Sequence, residues 1–256
     1  MTFPPEGVDV ERANVARMYD YWLGGAHNFA VDRAQADRIE ASNHTARHAA
    51  RSNRDFLRRV VQRCLADGID QFLDLGSGVP TVGNVHEIAP SARVAYVDHE
   101  VVAVTHSRQI LATVDRATIT LADLADAATV LGAPGVAGLL DFSRPVGVLA
   151  IAVLHYVLGD LTALLAPYRE RLVPGSALAI SHVTDEQPDP DLSARIRAAA
   201  EEFRHSANPV TLRSRAELTA ALGGPLVEPG LVDVTDWPVA RPAVTKVGMA
   251  CALARM

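Results

Sequence analysis

Residues 71–78 of this 256-residue chain read QFLDLGSG, which predicts a short buried strand that ends in an acid and a glycine-rich turn. Gly76 and Gly78 reach backbone angles closed to other residues, and because they have no β-carbon they let the main chain approach a ligand closely. The carboxylate of Asp74 would repel a pyrophosphate, but it suits a ligand with an ammonium or sulfonium group, such as S-adenosylmethionine. The stretch therefore favours that ligand over NAD.

Two more predicted strands end in acidic residues. The first is Arg93–Asp98, and Asp98 lies 20 positions after Gly78, the separation at which an acid typically accepts hydrogen bonds from ribose hydroxyls. Asp123 follows the strand at 117–121, where its carboxylate or a neighbouring main-chain amide would read the adenine edge. One such acid is more often a helix cap, but three at successive strand ends, beside a glycine turn, predict a nucleoside site.

Apolar strands and amphipathic helices alternate from residue 70 onward. This pattern requires right-handed crossovers and a mainly parallel sheet, so it predicts an α/β, Rossmann-like fold with helices on both faces. The predicted strands are 70–75, 93–98, 117–121, 146–152 and 176–183, and the predicted helices are 80–89, 100–113, 124–131 and 160–172. Two later strands, 226–237 and 245–253, are predicted to close one edge of the sheet. Pro80 is expected in the first turn of its helix, where its missing N–H would be unpaired anyway.

A helical segment precedes the sheet. Apolar residues recur at helical spacing between residues 9 and 67, interrupted by Gly24-Gly25 amid aromatic and hydrogen-bonding side chains. We therefore predict that residues 1–69 form an N-terminal helical appendage, a cap or lid, and that residues 70–256 form the Rossmann-like domain. A helical insertion is expected within that domain at about 185–222.

Charge and composition argue against several classes of function. The formal net charge is −6 and there is no Lys/Arg-rich tract, whereas nucleic-acid partners usually require a basic patch. No secretory signal is recognisable, and the longest apolar run, 146–154, is far shorter than the roughly 20 residues of a membrane span. Cys64 and Cys251 have no metal-like or CxxC spacing, so we expect a cytoplasmic protein without a metal ion. The oligomeric state is not predicted.

Several segments resemble known methyltransferases. Residues 73–78 (LDLGSG), Asp98, residues 122–124 (ADL) and residues 172–176 (LVPGS) resemble the class I S-adenosylmethionine-dependent methyltransferases. Residues 16–29 (ARMYDYWLGGAHNF), 78–81 (GVPT) and 84–87 (NVHE) resemble more narrowly the actinobacterial S-adenosyl methyltransferase family, once labelled only as a domain of unknown function. The first resemblance covers roughly residues 70–184, and the second spans nearly the whole chain.

The resemblance implies a seven-stranded sheet whose seventh strand is antiparallel, S-adenosylmethionine as cosubstrate, and methyl transfer to an acceptor that the family does not specify. The chain departs from the family patterns at two positions. Pro80 replaces the third glycine of the broad motif, a feature that the narrower family shares, and His27 stands where that family often has lysine. We expect the acceptor to be a small molecule whose pocket is shaped by the cap and the insertion.

The predicted cosubstrate site combines the motif with the resemblance. The glycine turn supplies main-chain contacts, and Ala152 and Val153 line the sulfonium at the end of the fourth strand. The family resemblance implies that a segment of the cap folds over the methionine end and that Arg54 faces its carboxylate. The complete predicted set is Tyr21, Gly25, Asn28, Arg54, Asp74, Gly76, Ser77, Gly78, Asp98, His99, Asp123, Leu124, Ala152 and Val153.

No catalytic group stands out in the sequence. His155 and Tyr21 are the candidates for a general base, with His182 as a third, although a histidine at a strand-to-helix junction is more often a packing or capping group. Two alternative functions remain open: a non-catalytic sensor or scaffold that binds S-adenosylmethionine or S-adenosylhomocysteine, and an NAD(P)-dependent oxidoreductase. The second would need glycine where Thr81 stands, and it would leave Asp74 unexplained.

Overall fold

One seven-stranded sheet forms the centre of the molecule. The computed structural model describes residues 9–81, 83–204, 206, 208–241 and 243–256. The strands are β1 (Gln71–Leu75), β2 (Arg93–Asp98), β3 (Ala117–Leu121), β4 (Gly147–Ile151), β5 (Ala177–Val183), β6 (Val232–Asp233) and β7 (Met249–Arg255). They lie in the order β3-β2-β1-β4-β5-β7-β6.

The strand directions confirm the predicted fold class. β1 to β5 pair with their neighbours in parallel, whereas β7 runs antiparallel to β5, from Ala177 opposite Arg255 to Val183 opposite Met249. β6 pairs antiparallel with β7. Every residue of β1 is buried, as expected for a central strand of a parallel sheet covered by helices on both faces. The carboxyl ends of the parallel strands therefore meet at one edge of the sheet.

Helices precede the sheet and connect its strands. They are α1 (Val15–Leu23), α2 (Ala30–Ser42), α3 (Ala46–Ala66), α4 (Val85–Ile88), α5 (Val101–Leu111), α6 (Ala127–Gly132), α7 (Pro134–Ala137), α8 (Leu161–Glu170), α9 (Pro190–Phe203) and α10 (Arg215–Leu222). Asn14 begins α1 by accepting hydrogen bonds from the main-chain N–H groups of Ala16 and Arg17, and Gly24, with φ 84°, ends it. Most of residues 9–67 is helical, as predicted, although the first helix begins only at Val15. Residues 1–8 of the predicted cap lie outside the described residues.

Apolar side chains fill three layers. One face of the sheet packs through residues such as Leu73, Leu75 and Val148 against α8 and α10. The opposite face packs through residues such as Phe72 and Leu149 against α3. A third cluster joins α1, α2 and α3 to α9 and comprises Ala13, Met18, Trp22, Ala36, Ile39, Ala50, Ala199 and Phe203. The N-terminal helices and the insertion helix α9 therefore share one apolar core.

The predicted helix at 80–89 was wrong for its first half. Helix α4 covers only Val85–Ile88, because Gly83 adopts a left-handed φ of 66° and Asn84 is the N-cap. The Asn84 N–H donates to the Glu87 carboxylate at 2.7 Å, which fixes the helix start there. Pro80 lies in the loop before this cap and not in a first helical turn.

The predicted strand at 226–237 was also wrong for most of its length. Only Val232–Asp233 joins the sheet as β6, and Leu226 makes an isolated bridge to Ala254. Pro229 cannot donate a hydrogen bond to a neighbouring strand, and Gly230 follows it with φ 83°. These two residues separate the bridge from β6 and leave an irregular edge.

Candidate active site

A cavity of about 410 Å³ opens at the carboxyl edge of the sheet, where the ends of β1 to β4 face α1 and α3. Cofactor pockets in proteins usually measure roughly 300–1,000 Å³. The residues that line it are Asn14, Val15, Ala16, Tyr19, Asn53, Arg54, Leu57, Asp74, Gly76, Ser77, Gly78, Val79, Val97, Asp98, His99, Glu100, Ala122, Asp123, Leu124, Ala125, Ile151, Ala152, Val153, Tyr156, Val157, Leu158 and Asn208. We call it the first cavity.

The glycine turn forms the floor of the first cavity. Gly76 has φ 71°, and a β-carbon on it would lie 2.2 Å from Cγ2 of Val153. Gly78 has φ 68°, and its N–H donates to Oδ2 of Asp98 at 2.7 Å. Both glycines hold left-handed angles that strain other residues, and Gly76 also has no room for a side chain.

Asp98 binds the turn to the start of α5. Its Oδ2 accepts from Gly78, and its Oδ1 accepts from the main-chain N–H of Glu100 at 2.8 Å. Burial raises the pKa of Asp98, and these two main-chain N–H groups oppose that shift. Because each carboxylate oxygen has two lone pairs, the side chain retains capacity to accept hydroxyl hydrogens from a ligand.

Asp74 and Arg54 place opposite charges at the end of β1. Burial raises the pKa of Asp74 to about 7, the nearby guanidinium of Arg54 opposes this shift, and the negative charge of Asp98 adds to it. Nε of Arg54 and Oγ of Ser77 are buried without a hydrogen-bond partner among the described residues. Buried polar atoms are nearly always paired, so these two side chains in the cavity wall fit a ligand that supplies polar groups.

The end of β4 is held in a strained conformation by a chain of hydrogen bonds. Ala152 has φ 56°, and its N–H donates to Oγ of Ser181 at 2.9 Å. The Ser181 hydroxyl donates to Oδ1 of Asn53 at 2.6 Å, and Nδ2 of Asn53 donates to the Tyr19 hydroxyl at 2.9 Å. The Tyr19 hydroxyl then donates to the carbonyl of Ala50 at 2.9 Å. This chain ties the N-terminal helices to the main chain of the cavity wall.

Most of the predicted cosubstrate residues meet in this wall. The ones that line the first cavity are Arg54, Asp74, Gly76, Ser77, Gly78, Asp98, His99, Asp123, Leu124, Ala152 and Val153. They come from α3 and from the ends of four strands, and the parallel sheet brings these ends together at one edge.

Tyr21, Gly25 and Asn28 do not line the first cavity. The hydroxyl of Tyr21 donates to Asp37 at 3.2 Å on the surface. A β-carbon on Gly25 would lie 1.9 Å from Oδ1 of Asp20, and Nδ2 of Asn28 donates to Oδ2 of Asp20 at 2.8 Å. Gly25 and Asn28 therefore pack around Asp20, which is buried.

Asp20 connects this segment of the cap to the loop after the glycine turn. Besides Asn28, its carboxylate accepts from the main-chain N–H of His27 at 2.8 Å and from the hydroxyl of Thr81 at 2.7 Å. The sequence analysis did not single out Asp20. Its position before a glycine pair gives no sign of these partners, because Thr81 is 61 residues away in the chain.

His155 also lies outside the first cavity. It is 3% exposed, and burial lowers its pKa well below the usual value, with His182 and Arg213 adding to the shift. The rings of His155 and His182 lie edge to face with centroids 5.2 Å apart. The structure therefore places neither His155 nor Tyr21, the two candidates for a general base, in the wall of the first cavity.

Several cavity residues were missed by the sequence analysis. Asn53 and Tyr156 come from elements far apart in the chain, and no local motif marks them. Tyr19 lies within the segment 16–29 that resembles the family, but no role was predicted for it. Asn14 could have been predicted as a helix N-cap, because an asparagine directly before a helical apolar pattern is typical of that position. Its Nδ2 donates to Glu100 at 2.8 Å, so the start of α1 is attached to the loop after β2.

Within residues 9–256 and outside the four undescribed positions, no cluster of three or more His, Cys, Asp or Glu side chains is arranged to hold a metal ion. In the same part of the chain, no helix combines the length and the apolar character needed to cross a membrane.

Comparison with solved structures identifies two close relatives. A protein from Thermobifida fusca YX, described as a "putative methyltransferase", is 34% identical, with a TM-score of 0.92 over 100% of this chain and 99% of the other. A DUF574 family protein from Streptomyces avermitilis MA-4680 is 35% identical, with a TM-score of 0.89 over 96% of this chain and 98% of the other.

A more distant structure shares the fold alone. Magnesium protoporphyrin IX methyltransferase from Synechocystis PCC 6803, with bound SAM, is 15% identical and has a TM-score of 0.52 over 98% of this chain and 99% of the other. Comparison with curated proteins gave no match. A family model described as S-adenosyl methyltransferase matches residues 1–256. Because the match covers the whole chain, this protein belongs to the S-adenosyl methyltransferase family.

Proposed function

We propose that the protein transfers the methyl group of S-adenosylmethionine to an uncharged small molecule, and that the first cavity holds the cosubstrate. The observation that carries this proposal is the convergence of Asp74, Asp98 and Asp123 with the Gly76–Gly78 turn in one cavity wall. The glycine turn lets the main chain approach a ligand closely. The negative side chains beside it attract a cationic nucleoside and repel a diphosphate. Family membership supports the same conclusion and argues against the oxidoreductase alternative.

The order of the strands supports one orientation of the cosubstrate. Asp123 and Leu124 follow β3 at the outer end of the cavity, where they would bracket the adenine. Asp98, at the end of β2, would accept from the ribose hydroxyls while it holds the glycine turn. Asp74 and Arg54 lie at the end nearest β1 and would bind the amino group and the carboxylate of the methionine portion, respectively.

When bound, S-adenosylmethionine supplies an electrophilic methyl group on a sulfonium. The residues of this chain then have to orient the acceptor, exclude water and keep the cosubstrate rigid. Correct positioning of two reactants lowers the activation barrier by roughly 7–11 kcal/mol. A general base typically raises the rate by only about 10²–10⁴-fold. A dedicated base is therefore not required, and neither of the two candidates, His155 and Tyr21, lies in the first cavity wall.

A small molecule is the acceptor class that the surface and the site favour. The chain has a formal net charge of −6, whereas a nucleic-acid acceptor would need a basic surface. The N–H of the strained Ala152 is connected through Ser181 to Asn53 of α3, and Tyr19 of α1 lines the same cavity. The reacting groups would therefore meet under the N-terminal helices, where a macromolecule has little access.

Two measurements test the proposal. Ligand that copurifies with the protein is identified by mass spectrometry, and calorimetry measures binding of S-adenosylmethionine, S-adenosylhomocysteine and NAD. We expect the first two to bind and NAD not to bind. Purified protein is then incubated with methyl-labelled S-adenosylmethionine and a small-metabolite extract, and label should appear in a small product.

The outcomes separate the alternatives. Binding of NAD in place of S-adenosylmethionine would contradict the proposal at the level of the cosubstrate. Tight binding of S-adenosylmethionine with no labelled product from any extract would instead indicate a sensor or scaffold. The Asp98→Ala variant, which loses two main-chain contacts, is the control for label transferred by a contaminating enzyme.

A further inference from the structure

A second, smaller cavity adjoins the first. Its volume is about 80 Å³, and Tyr19, Ala152 and Tyr156 belong to the walls of both cavities. Its other described walls come from the N-terminal helices, from α9 and from the sheet ends near Val183 and Met249. The two cavities therefore meet at the strained end of β4.

The strand order places the second cavity beyond the methionine end of the first. The first cavity spans the ends of β3, β2, β1 and β4, and the second spans the ends of β4, β5 and β7, which follow in that order along the same edge. β7 is antiparallel, so its first residue, Met249, lies at this edge. A molecule in the second cavity would approach the first from the side opposite the adenine end.

The wall of the second cavity is almost entirely apolar. Among the described residues it contains no Asp, Glu, Lys or Arg. Burial lowers the pKa of His155 well below its usual value and raises the pKa of Tyr156, so these two groups are neutral near pH 7. A charged group moved into such a wall without a partner would lose its hydration without compensation.

Two side chains of this wall each hold a buried polar atom that has no partner among the described residues. Nδ1 of His155 and Nε1 of Trp22 are buried and make no hydrogen bond with the described residues. The two side chains are 3% and 6% exposed. Buried ring nitrogens of native proteins are usually paired, so these two indicate that an occupant of the second cavity carries a hydrogen-bonding group.

From this arrangement we infer that the second cavity binds the methyl acceptor, an uncharged, mainly apolar small molecule that carries a hydroxyl or carbonyl group for His155 and Trp22. This inference rests on the proposed function of the first cavity. The nucleophile of the acceptor would lie between Tyr19, Ala152 and Tyr156, where the two cavities meet. Its lone pair forms the new bond to the methyl carbon, the electron pair of the broken carbon–sulfur bond stays on sulfur, and any proton released passes to water.

The test uses 4-fluorophenol as a neutral probe and 4-fluorobenzoate as a charged one. Fluorine NMR measures the binding of each probe to the full-length protein saturated with S-adenosylhomocysteine. We expect the phenol to bind and the benzoate to bind about tenfold more weakly or not at all. Ala200→Leu adds three carbon atoms on the α9 wall of the second cavity and should weaken phenol binding by about tenfold.

Matched controls separate filling of the cavity from loss of structure. Ala198→Leu makes the same change on the exposed side of α9 and should bind the phenol as the parent protein does. Ala49→Leu fills the second cavity from α3 and provides a second filling variant if Ala200→Leu unfolds. His155→Leu should reduce the preference for 4-fluorophenol over fluorobenzene, because one of the two hydrogen-bonding nitrogens is gone.

Three results would overturn the inference. One is that the phenol binds the ligand-free protein but not the protein saturated with S-adenosylhomocysteine, which would place the probe in the first cavity. Another is equal binding of the phenol and the benzoate, and the third is unchanged phenol binding in both filling variants. Calorimetry measures the affinity of each ligand-free variant for S-adenosylhomocysteine before the probe is added, so a protein that fails to bind it would reveal failure of the proposed function separately.

Discussion

The two halves of the carboxyl edge are built in different ways. The half at β1, β2 and β3 consists of short segments that each follow a strand: the glycine turn, Asp98 with its neighbours, and Asp123 with Leu124. The half at β4, β5 and β7 is covered by side chains from α1, α2, α3 and α9, and its polar atoms are few. The first half is charged, and the second is apolar.

This difference separates the proposed binding of the cosubstrate from the proposed binding of the acceptor. The proposed cosubstrate is the same molecule throughout a methyltransferase family, so local motifs at strand ends suffice to bind it. The acceptor differs between enzymes, and a pocket formed by appended helices changes without altering the sheet. Ala152 lies at the boundary, since its main chain belongs to β4's end and its hydrogen bonds lead to the N-terminal helices.

The largest effect is expected from Gly76→Ala. The new β-carbon would lie 2.2 Å from Val153 Cγ2 and would require φ 71°, so we expect binding of S-adenosylhomocysteine to fall by more than about 100-fold. Calorimetry measures this loss. The probe of the second cavity should still bind, because Gly76 is not in that wall.

The matched control for this change is Gly68→Ala. Gly68 has φ 85° with no atom near the position of a β-carbon, so it bears only the left-handed strain of roughly 1–2 kcal/mol. The Gly76→Ala, Val153→Ala double variant should recover part of the binding. Equal behaviour of the two glycine variants would show that the close packing at Gly76 has no role in binding.

A smaller effect is expected from Asp98→Ala. The change frees the main-chain N–H groups of Gly78 and Glu100 and removes the proposed ribose acceptor, so binding of S-adenosylmethionine should weaken by about tenfold or more. Calorimetry measures the affinity. Asp126→Ala removes a helix-capping carboxylate at the same edge of the sheet but outside the cavity wall, and it should leave the affinity unchanged. An unaltered affinity in Asp98→Ala would refute the assignment.

Binding should also depend on pH through Asp74. Burial raises its pKa to about 7, so the carboxyl is neutral below that pH and negative above it. A cationic ligand binds the negative form better, and affinity for S-adenosylmethionine should therefore rise as the pH increases from about 6 to about 8. Asp74→Asn should flatten this dependence and weaken binding at the upper pH by several-fold.

The stability of the ligand-free protein gives an independent check on Asp74. A folded-state pKa above the unfolded value disfavours the ionised form, so this side chain lowers stability progressively as the pH rises from about 4 to about 7. Asp74→Asn should therefore raise the midpoint of thermal unfolding above pH 7. A variant that is less stable there and also binds weakly would indicate general damage to the fold.

The smallest effect is expected from Ser181→Ala, at the boundary between the two halves. The change removes the hydroxyl that accepts from Ala152 and donates to Asn53, so the free energy of unfolding should fall by about 1–2 kcal/mol. Urea denaturation measures it. Ser143→Ala removes an exposed hydroxyl and should change stability by less than about 0.5 kcal/mol. Equal losses in the two variants would contradict a structural role for this hydrogen-bond chain.

Elements were predicted correctly where the residues that specify them are neighbours in the chain. β1 to β5 and the residues directly after them were predicted because an apolar strand, its terminal acid and its glycine turn are adjacent in the chain. The prediction of a helix at 80–89 was wrong because Gly83 and Asn84 place the start of the helix inside the apolar pattern. The strand at 226–237 was wrong because Pro229 and Gly230 interrupt it.

By itself, the sequence determined the α/β class, the site at the carboxyl ends of the strands and the acids expected to bind a cationic nucleoside, because each depends on residues within a few positions of one another. Only the tertiary structure decided that Asp20 holds the cap to the loop at Thr81, and that Tyr19, Asn53 and Ser181 support Ala152. The contact between Asn53 and Ser181 alone joins residues 128 positions apart. Contacts of this kind depend on how packed helices lie against the sheet, which no local pattern of residue types specifies.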